Sequence, residues 1–493
     1  MPMFGVYSLA HVARSGGTRV LHRTRRGLRR LLGVVLAVAL VAGVVVGLRW
    51  AWQDGRLNAL ICDGDCGPSN VVAPAGLRTG GLGDVAPAPP VDVSPIDPAA
   101  VVDAAKVLLV DSRLGPHVGL AVAAPGADDP VARAFGTGST QRTFVPASTT
   151  KLLTGFAALS TIDPQTRFET TVVDDGDAIV LVGGGDPYLT VSRDKDSLRV
   201  ERAELDTLAQ DTAEALRASG RTSVRVAYDD GLFDGPAVNP AWEDGYVPEG
   251  IVTPISALWV DQGVVDGQRS RTPAADAAQR FADLLGDEGV QVTGDVRSGS
   301  APRDAAVLAS VRSATVEQIV ETVLRTSDNE GAEVLLRHAG IAGGQDGSFR
   351  GGVDAVEAAL NAADVDMAGL RLFDGSGLSR RNRIAPTTLV DVVQAALASP
   401  RGAALLDDLP LSGFTGTLAE RFDRASSGLV RAKTGTLSGV HALAGYALDA
   451  DGRPVVFALM SDDADRSAPF AAQDALDDVA EAIAACSCGD DQP

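Results

Sequence analysis

The stretch VPASTTKLLTG, residues 145–155, places Ser148 three positions before Lys151 at the head of an apolar run. Leu152, Leu153, Phe156 and Leu159 recur at helical spacing, which predicts a helix with one buried face. Residues three apart share a face of such a helix, so hydroxyl and amine are neighbours. Backbone N–H groups at the helix N-terminus favour negative charge developing there. Serine is a weak nucleophile at its own pKa and needs an adjacent base. A lysine stripped of water can give up its proton and serve as that base, whereas arginine cannot. Of 43 basic residues only Lys106, Lys151, Lys195 and Lys433 are lysines. A lysine kept at this spacing in an arginine-rich chain points to proton transfer rather than to charge alone. S-x-x-K by itself also describes an exposed helix turn. A second copy, Ser192 to Lys195, lacks the apolar face and reads as surface.

Two further motifs follow in order. RTSDNEGAE, residues 325–333, supplies Ser327 and Asn329 between two helical stretches. A second hydroxyl can relay a proton to a leaving amine, and an amide can hold a substrate peptide group; S-D-N also suits a helix N-cap. VRAKTGTLSG, residues 430–439, supplies Lys433, Thr434 and Thr436 at the end of a strand. A cation with two hydroxyls on a sheet edge forms a carboxylate receptor, and Gly435 permits close backbone approach. A strand running into a turn would have the same pattern. Each motif alone has an ordinary explanation; S-x-x-K, S-D-N and K-T-G in this order are the signature of serine β-lactamases and penicillin-binding proteins.

PASTTKLLT, LVGGGDPYLT, YDDGLFDGP, RTSDNEGAEVLLR, FDGSGLSRRNRIAP and AKTGTLSGV together resemble the D-alanyl-D-alanine carboxypeptidase/endopeptidase family, the class C low-molecular-mass penicillin-binding proteins. The resemblance spans about residues 99–485. It implies an α+β fold, a β-lactamase/transpeptidase-like domain with an antiparallel sheet flanked by helices and a helical subdomain. The long interval from Ser148 to Ser327 implies an inserted β-rich region between the first and second motifs. Carried over by motif, Ser148 is the acylated nucleophile, Lys151 its base and Ser327 the proton shuttle. Asn329 holds the substrate backbone, and Lys433, Thr434 and Thr436 bind the terminal carboxylate. The N–H groups of Ser148 and Thr436 form the oxyanion hole. Asp229, in AYDDGLF, is the match for an aspartate that contacts the charged side-chain end of the stem peptide. The implied partners are peptidoglycan stem peptides and, as covalent inhibitors, β-lactams. No cofactor and no metal are implied. A serine β-lactamase and a non-catalytic wall-binding protein of the same fold are the competing functions.

The N-terminus bears on location. Residues 1–30 carry Arg14, Arg19, Arg23, Arg25, Arg26, Arg29 and Arg30 and no acid. Leu31 to Leu48 then runs without a polar side chain, about 27 Å as a helix, the thickness of a bilayer core. The basic flank keeps that end cytoplasmic, so an uncleaved anchor leaves the bulk outside the cell; AVA at 37–39 is the rival signal for cleavage and secretion. Residues 49–98, rich in Gly, Pro and Ala, read as a linker. The peptidase domain is expected at 99–167 and 311–486, with the insert at 168–310. Cys62, Cys66, Cys486 and Cys488 all fall beyond the anchor, where disulfides are favoured over zinc, with three connectivities open.

Other chemistries fit poorly. The chain's formal net charge of −21 argues against non-specific nucleic-acid binding. The five histidines form no H-E-x-x-H motif. DGSGLS has Asp374 where the nucleophile elbow of a Ser-His-Asp hydrolase needs glycine.

Overall fold

The computed structural model describes residues 96–126, 132–136, 142–192, 202–422 and 425–489. The expected anchor, nearly all of the linker, Cys62, Cys66 and Lys195 lie outside the described residues. Among the described residues no single helix is long and apolar enough to cross a membrane.

The strands in chain order are β1 (Val118–Ala123), β2 (Ala132–Phe135), β3 (Arg167–Asp175), β4 (Ala178–Val182), β5 (Ser223–Asp229), β6 (Val264–Val265), β7 (Gln268–Arg269), β8 (Gln291–Val292), β9 (Arg297–Ser298), β10 (Val307–Thr315), β11 (Val430–Leu437), β12 (Val440–Leu448) and β13 (Pro454–Ser461). The helices are α1 (Pro98–Ala105), α2 (Thr150–Thr161), α3 (Leu205–Ala218), α4 (Pro273–Asp287), α5 (Val316–Thr326), α6 (Asn329–Ala342), α7 (Phe349–Ala362), α8 (Pro386–Leu397), α9 (Pro400–Asp407) and α10 (Pro469–Ala484).

One five-stranded antiparallel sheet, ordered β11-β12-β13-β1-β2, is built from both ends of the folded chain. Its central strands are apolar on consecutive residues because both faces are covered. With a period of two, Leu120, Val122, Phe457 and Leu459 face α1 and α10, while Ala121, Ala458, Ala442 and Ala444 face the helical side. The small residues on that second face allow α8 and the turn at Ala147–Thr149 to lie close on the sheet. Ile96 bridges Gly489, so the start of the described chain is stitched beside its end. Cys486 and Cys488 are joined to each other, one of the three open connectivities.

The helix read from residues 145–155 is more central than its periodicity implies. Thr150 through Leu159 are all buried, because α5, α6, α7, α8 and α9 pack around it. Gly155 admits α9: a Cβ there would lie 2.8 Å from Leu405 Cδ1.

The segment expected to be β-rich forms a second sheet, ordered β10-β3-β4-β5-β8. Its strands do not all run antiparallel. β4 pairs β5 and β5 pairs β8 in parallel, through crossovers that contain α3 and α4. The apolar faces of these two helices bury Leu208, Leu216, Phe281 and Leu285 on the sheet. β10 then leads directly into α5, which Thr315 and Gln318 open with a reciprocal capping box. The inserted sheet thereby delivers the chain to the second motif.

Candidate active site

The turn before α2 sets Ser148. Ala147 takes a left-handed φ of 46°, and Ala147–Thr149 form a 3-10 turn that runs into the helix. Thr149 Oγ1 donates to the Pro146 carbonyl and Thr150 Oγ1 to the Ala147 carbonyl, which fixes the turn. Ser148 is half-buried at its crest.

Lys151 is fully buried, with 0% exposure. Its Nζ donates to Ser148 Oγ at 2.9 Å, to Asn329 Oδ1 at 2.8 Å and to the Ser376 carbonyl at 2.7 Å. Burial lowers its pKa to about 8, against the opposing pull of the Glu333, Asp328, Asp374 and Glu330 carboxylates. An amine in that range can exchange its proton with a serine hydroxyl near neutral pH.

The second motif sits where α5 stops. Ser327 adopts φ 60° and ψ 35°, a left-handed cap that costs a non-glycine residue about 1–2 kcal/mol. Asp328 caps α6 by accepting from the Gly331 N–H, so the N-cap reading of S-D-N is correct for its middle residue. That leaves Ser327 and Asn329 facing the site. Lys433, also fully buried, donates from Nζ to Ser327 Oγ at 2.9 Å and to the Thr434 carbonyl at 2.8 Å. Burial first, then the nearby positive charges of Lys151 and Arg421, push its pKa well below the ordinary lysine value.

β11 is the edge strand of the main sheet, and it runs along the Ser148 turn. A Cβ on Gly435 would meet the Pro146 carbonyl oxygen at 2.5 Å, so only glycine allows this approach. The Ala432 N–H leaves the edge away from β12 to reach the Pro410 carbonyl. By two-residue alternation Thr434 and Thr436 also present their N–H groups along this open edge. Thr434 Oγ1 donates to Thr417 Oγ1 at 2.9 Å, and Thr436 is exposed.

Seven of the eight residues singled out in the sequence thus lie along the Ser148 turn and α2, the α5–α6 turn and the facing edge strand. Asp229 does not join them through any described contact. Its carboxylate accepts from the Gly231 and Ala301 N–H groups, inside the inserted segment. Residues 239–246 of the insert touch the loop at 373–380 instead. Trp242 Nε1 donates to Asp374 at 2.8 Å, Asn239 Nδ2 donates to the Phe373 carbonyl, and Glu243 pairs with Arg380.

Sequence reading missed three contributors. Asp374 organises the loop in FDGSGLSRRNRIAP, accepting from the N–H groups of Gly377 and Ser379 and from Asn382 Nδ2. Glu333, one turn after Asn329, accepts from the N–H groups of Gly375 and Ser376. Together these two carboxylates set the Ser376 carbonyl that Lys151 uses. Burial and the Asp374 charge push Glu333 upward. Thr417 adds a third hydroxyl beside Thr434. The RTSDNEGAE and FDGSGLS stretches contain Glu333 and Asp374; nothing local marks Thr417.

The family described as D-Ala-D-Ala carboxypeptidase 3 (S13) matches residues 104–268 and 266–483. The chain belongs to the D-Ala-D-Ala carboxypeptidase S13 family. Carboxypeptidase DacB of Mycolicibacterium smegmatis is 35% identical over 447 residues, covering 85% of this chain and 95% of that protein. Carboxypeptidase Rv3627c of Mycobacterium tuberculosis is 39% identical over 361 residues, 70% of this chain and 76% of that one. Penicillin binding protein 4 (dacB) from Haemophilus influenzae shares the fold, with a TM-score of 0.64 at 19% identity, across 79% of this chain and 100% of that structure. This S13 member is a serine-type D-alanyl-D-alanine carboxypeptidase, a hydrolase of the α+β penicillin-binding class. Among its described residues no group of three or more His, Cys, Asp or Glu is arranged to hold a metal ion.

Proposed function

We propose that this chain trims peptidoglycan stem peptides through an acyl-enzyme on Ser148, with Lys151 as the base. The observation that carries the reading is the buried Lys151 amine, shared by Ser148 Oγ and Asn329 Oδ1 and lowered to about 8. Neutral Lys151 takes the Ser148 proton as Oγ attacks the carbonyl of the penultimate D-alanine. The tetrahedral oxyanion is held by the N–H groups of Ser148 and Thr436. As the C–N bond breaks, Ser327 passes a proton to the departing nitrogen, and the proton held by Lys151 restores the balance. Lys433, Thr434 and Thr436 hold the terminal carboxylate, and Asn329 holds the peptide backbone. Water then attacks the ester, giving up its proton to Lys151, and frees Ser148. A β-lactam acylates the same serine, but its ring-opened leaving group stays tethered, so the ester persists.

The test is incubation with a fluorescent penicillin followed by mass spectrometry. Label on the Ser148 peptide, absent in Ser148→Ala, is the expected result; an unlabelled Ser148 in folded protein rejects the reading. Rapid turnover of the β-lactam would instead favour a β-lactamase. Product analysis on monomeric and cross-linked wall peptides separates release of terminal D-alanine from cross-link opening. The same proposal places the enzyme outside the cell on a membrane anchor at residues 31–48, supported by the arginine-rich flank and the apolar run. Release of the enzyme from washed membranes by high salt would reject the anchor.

A further inference from the structure

The inserted segment grips the second motif at two points. Gln262 Nε2 donates to Asp328 Oδ2 at 2.6 Å. Arg269, on β7, pairs with Glu330, whose side chain is 3% exposed. Thr253 ties the two grips together. Its N–H donates to Glu330 Oε1 at 3.0 Å, and its Oγ1 donates to the Gln262 carbonyl at 2.8 Å and accepts from Arg269 Nη1 at 3.0 Å. Every group in this clasp has a partner, as a buried polar network requires. Both sides are held in left-handed backbone. Asp261, Gln262 and Gly263 have φ of 50°, 55° and 71°, and Ser327 has φ of 60°. Non-glycine residues persist there when their surroundings fix them, and such strain gathers at working sites. The turn held this way, Ser327 to Glu330, carries the hydroxyl that accepts from Lys433 and the amide that accepts from Lys151.

We propose that Gln262 and Arg269 are positioning residues for acyl transfer. By clasping Asp328 and Glu330 they keep Ser327 left-handed and Asn329 in register with the two catalytic-site lysines. The insert is then part of the machinery for the chemical step, beyond any share it has in binding substrate. Without the clasp the α5–α6 turn relaxes toward ordinary helical backbone, and Ser327 Oγ leaves Lys433. This inference rests on Ser327 and Asn329 acting in acyl transfer as described above.

The experiment is time-resolved acylation by a fluorescent penicillin, comparing the full chain with Gln262→Ala, Arg269→Ala and Arg269→Lys. Three quantities are read: the labelled fraction at completion, the rate constant at saturation, and the half-saturating concentration. Gln262→Ala removes one hydrogen bond to a carboxylate and should slow the saturated rate by about tenfold, with full labelling and half-saturation within about twofold. Arg269→Ala leaves Glu330 buried without its cation and should slow it by about a hundredfold or more, while Arg269→Lys recovers most of that loss. Should Arg269→Ala not fold, Gln262→Ala decides, because it strands no buried charge. Wild-type rate constants in Gln262→Ala, or a loss seen only as a smaller labelled fraction, would overturn the proposal. Ser148→Ala runs alongside. Label retained in that variant would refute the acyl-enzyme itself, whatever the clasp does.

Discussion

Replacing Lys151 by arginine separates positive charge from proton transfer. An unperturbed amine at 10.5 would be free of its proton in about one molecule in three thousand at pH 7. Held at about 8, Lys151 is free in roughly one in ten, a gain of about 300-fold, or about 3 kcal/mol. Arginine keeps its proton at every pH an enzyme tolerates. If the rate follows the free base, Lys151→Arg should lose about 10³–10⁴ in acylation at pH 8, the upper part of the range for general-base catalysis. The sign of the pH dependence follows from the same group. The proton must leave Lys151 before it can accept from Ser148, so wild-type acylation should fall as pH drops through 8, by about tenfold per pH unit below it. Above that pH it should level off. The assay is the rate of penicillin acylation from pH 5 to 9, with D-alanine release from a peptide ending in D-Ala-D-Ala as the second readout. Near-ultraviolet circular dichroism and Tm establish that the variant is folded. A folded Lys151→Arg enzyme that retains a tenth of the wild-type rate, or shows the same acid limb, would refute the assignment of Lys151 as base.

Three more expectations follow from the geometry. Lys433 is pushed well below the usual lysine value, so KM for a peptide with a free terminal carboxylate should rise as pH climbs and its charge is lost; an amidated peptide should show no such rise. A KM independent of pH for both peptides would count against Lys433 as carboxylate receptor. Gly377→Ala places a Cβ about 1.8 Å from the Ala147 carbonyl oxygen at a φ of 85°. It should cost about 2–4 kcal/mol in urea unfolding and remove most activity, because the nucleophile turn must shift. Thr417→Val deletes the hydroxyl beside Thr434 and should raise KM several-fold, by about 1 kcal/mol, with kcat nearly unchanged.

The S-x-x-K, S-D-N and K-T-G motifs were legible because each is a local device: a helix N-terminus, a helix-to-helix turn and a strand edge. Ser148 and Lys151 needed only helical spacing to become neighbours, and the α+β class was implied by the resemblance that the ordered motifs carry. A short acidic match such as Asp229 says nothing about where its carboxylate is spent; here two backbone N–H groups in the insert donate to it. The parallel pairing of β4, β5 and β8 was equally hidden, since strand direction is set by the crossover helices and not by composition.

The sequence by itself determined which groups are the candidates for the chemistry, because a lysine asked to shed a proton cannot be exchanged for arginine in an arginine-rich chain. Tertiary structure alone decided that the pKa of this lysine is lowered toward neutrality. Its lowered pKa comes from burial, with Nζ closed in among Ser148, Asn329 and the Ser376 carbonyl, in a loop that Glu333 and Asp374 hold in place. Desolvation is a property of everything packed around a group, and no stretch of residues records it.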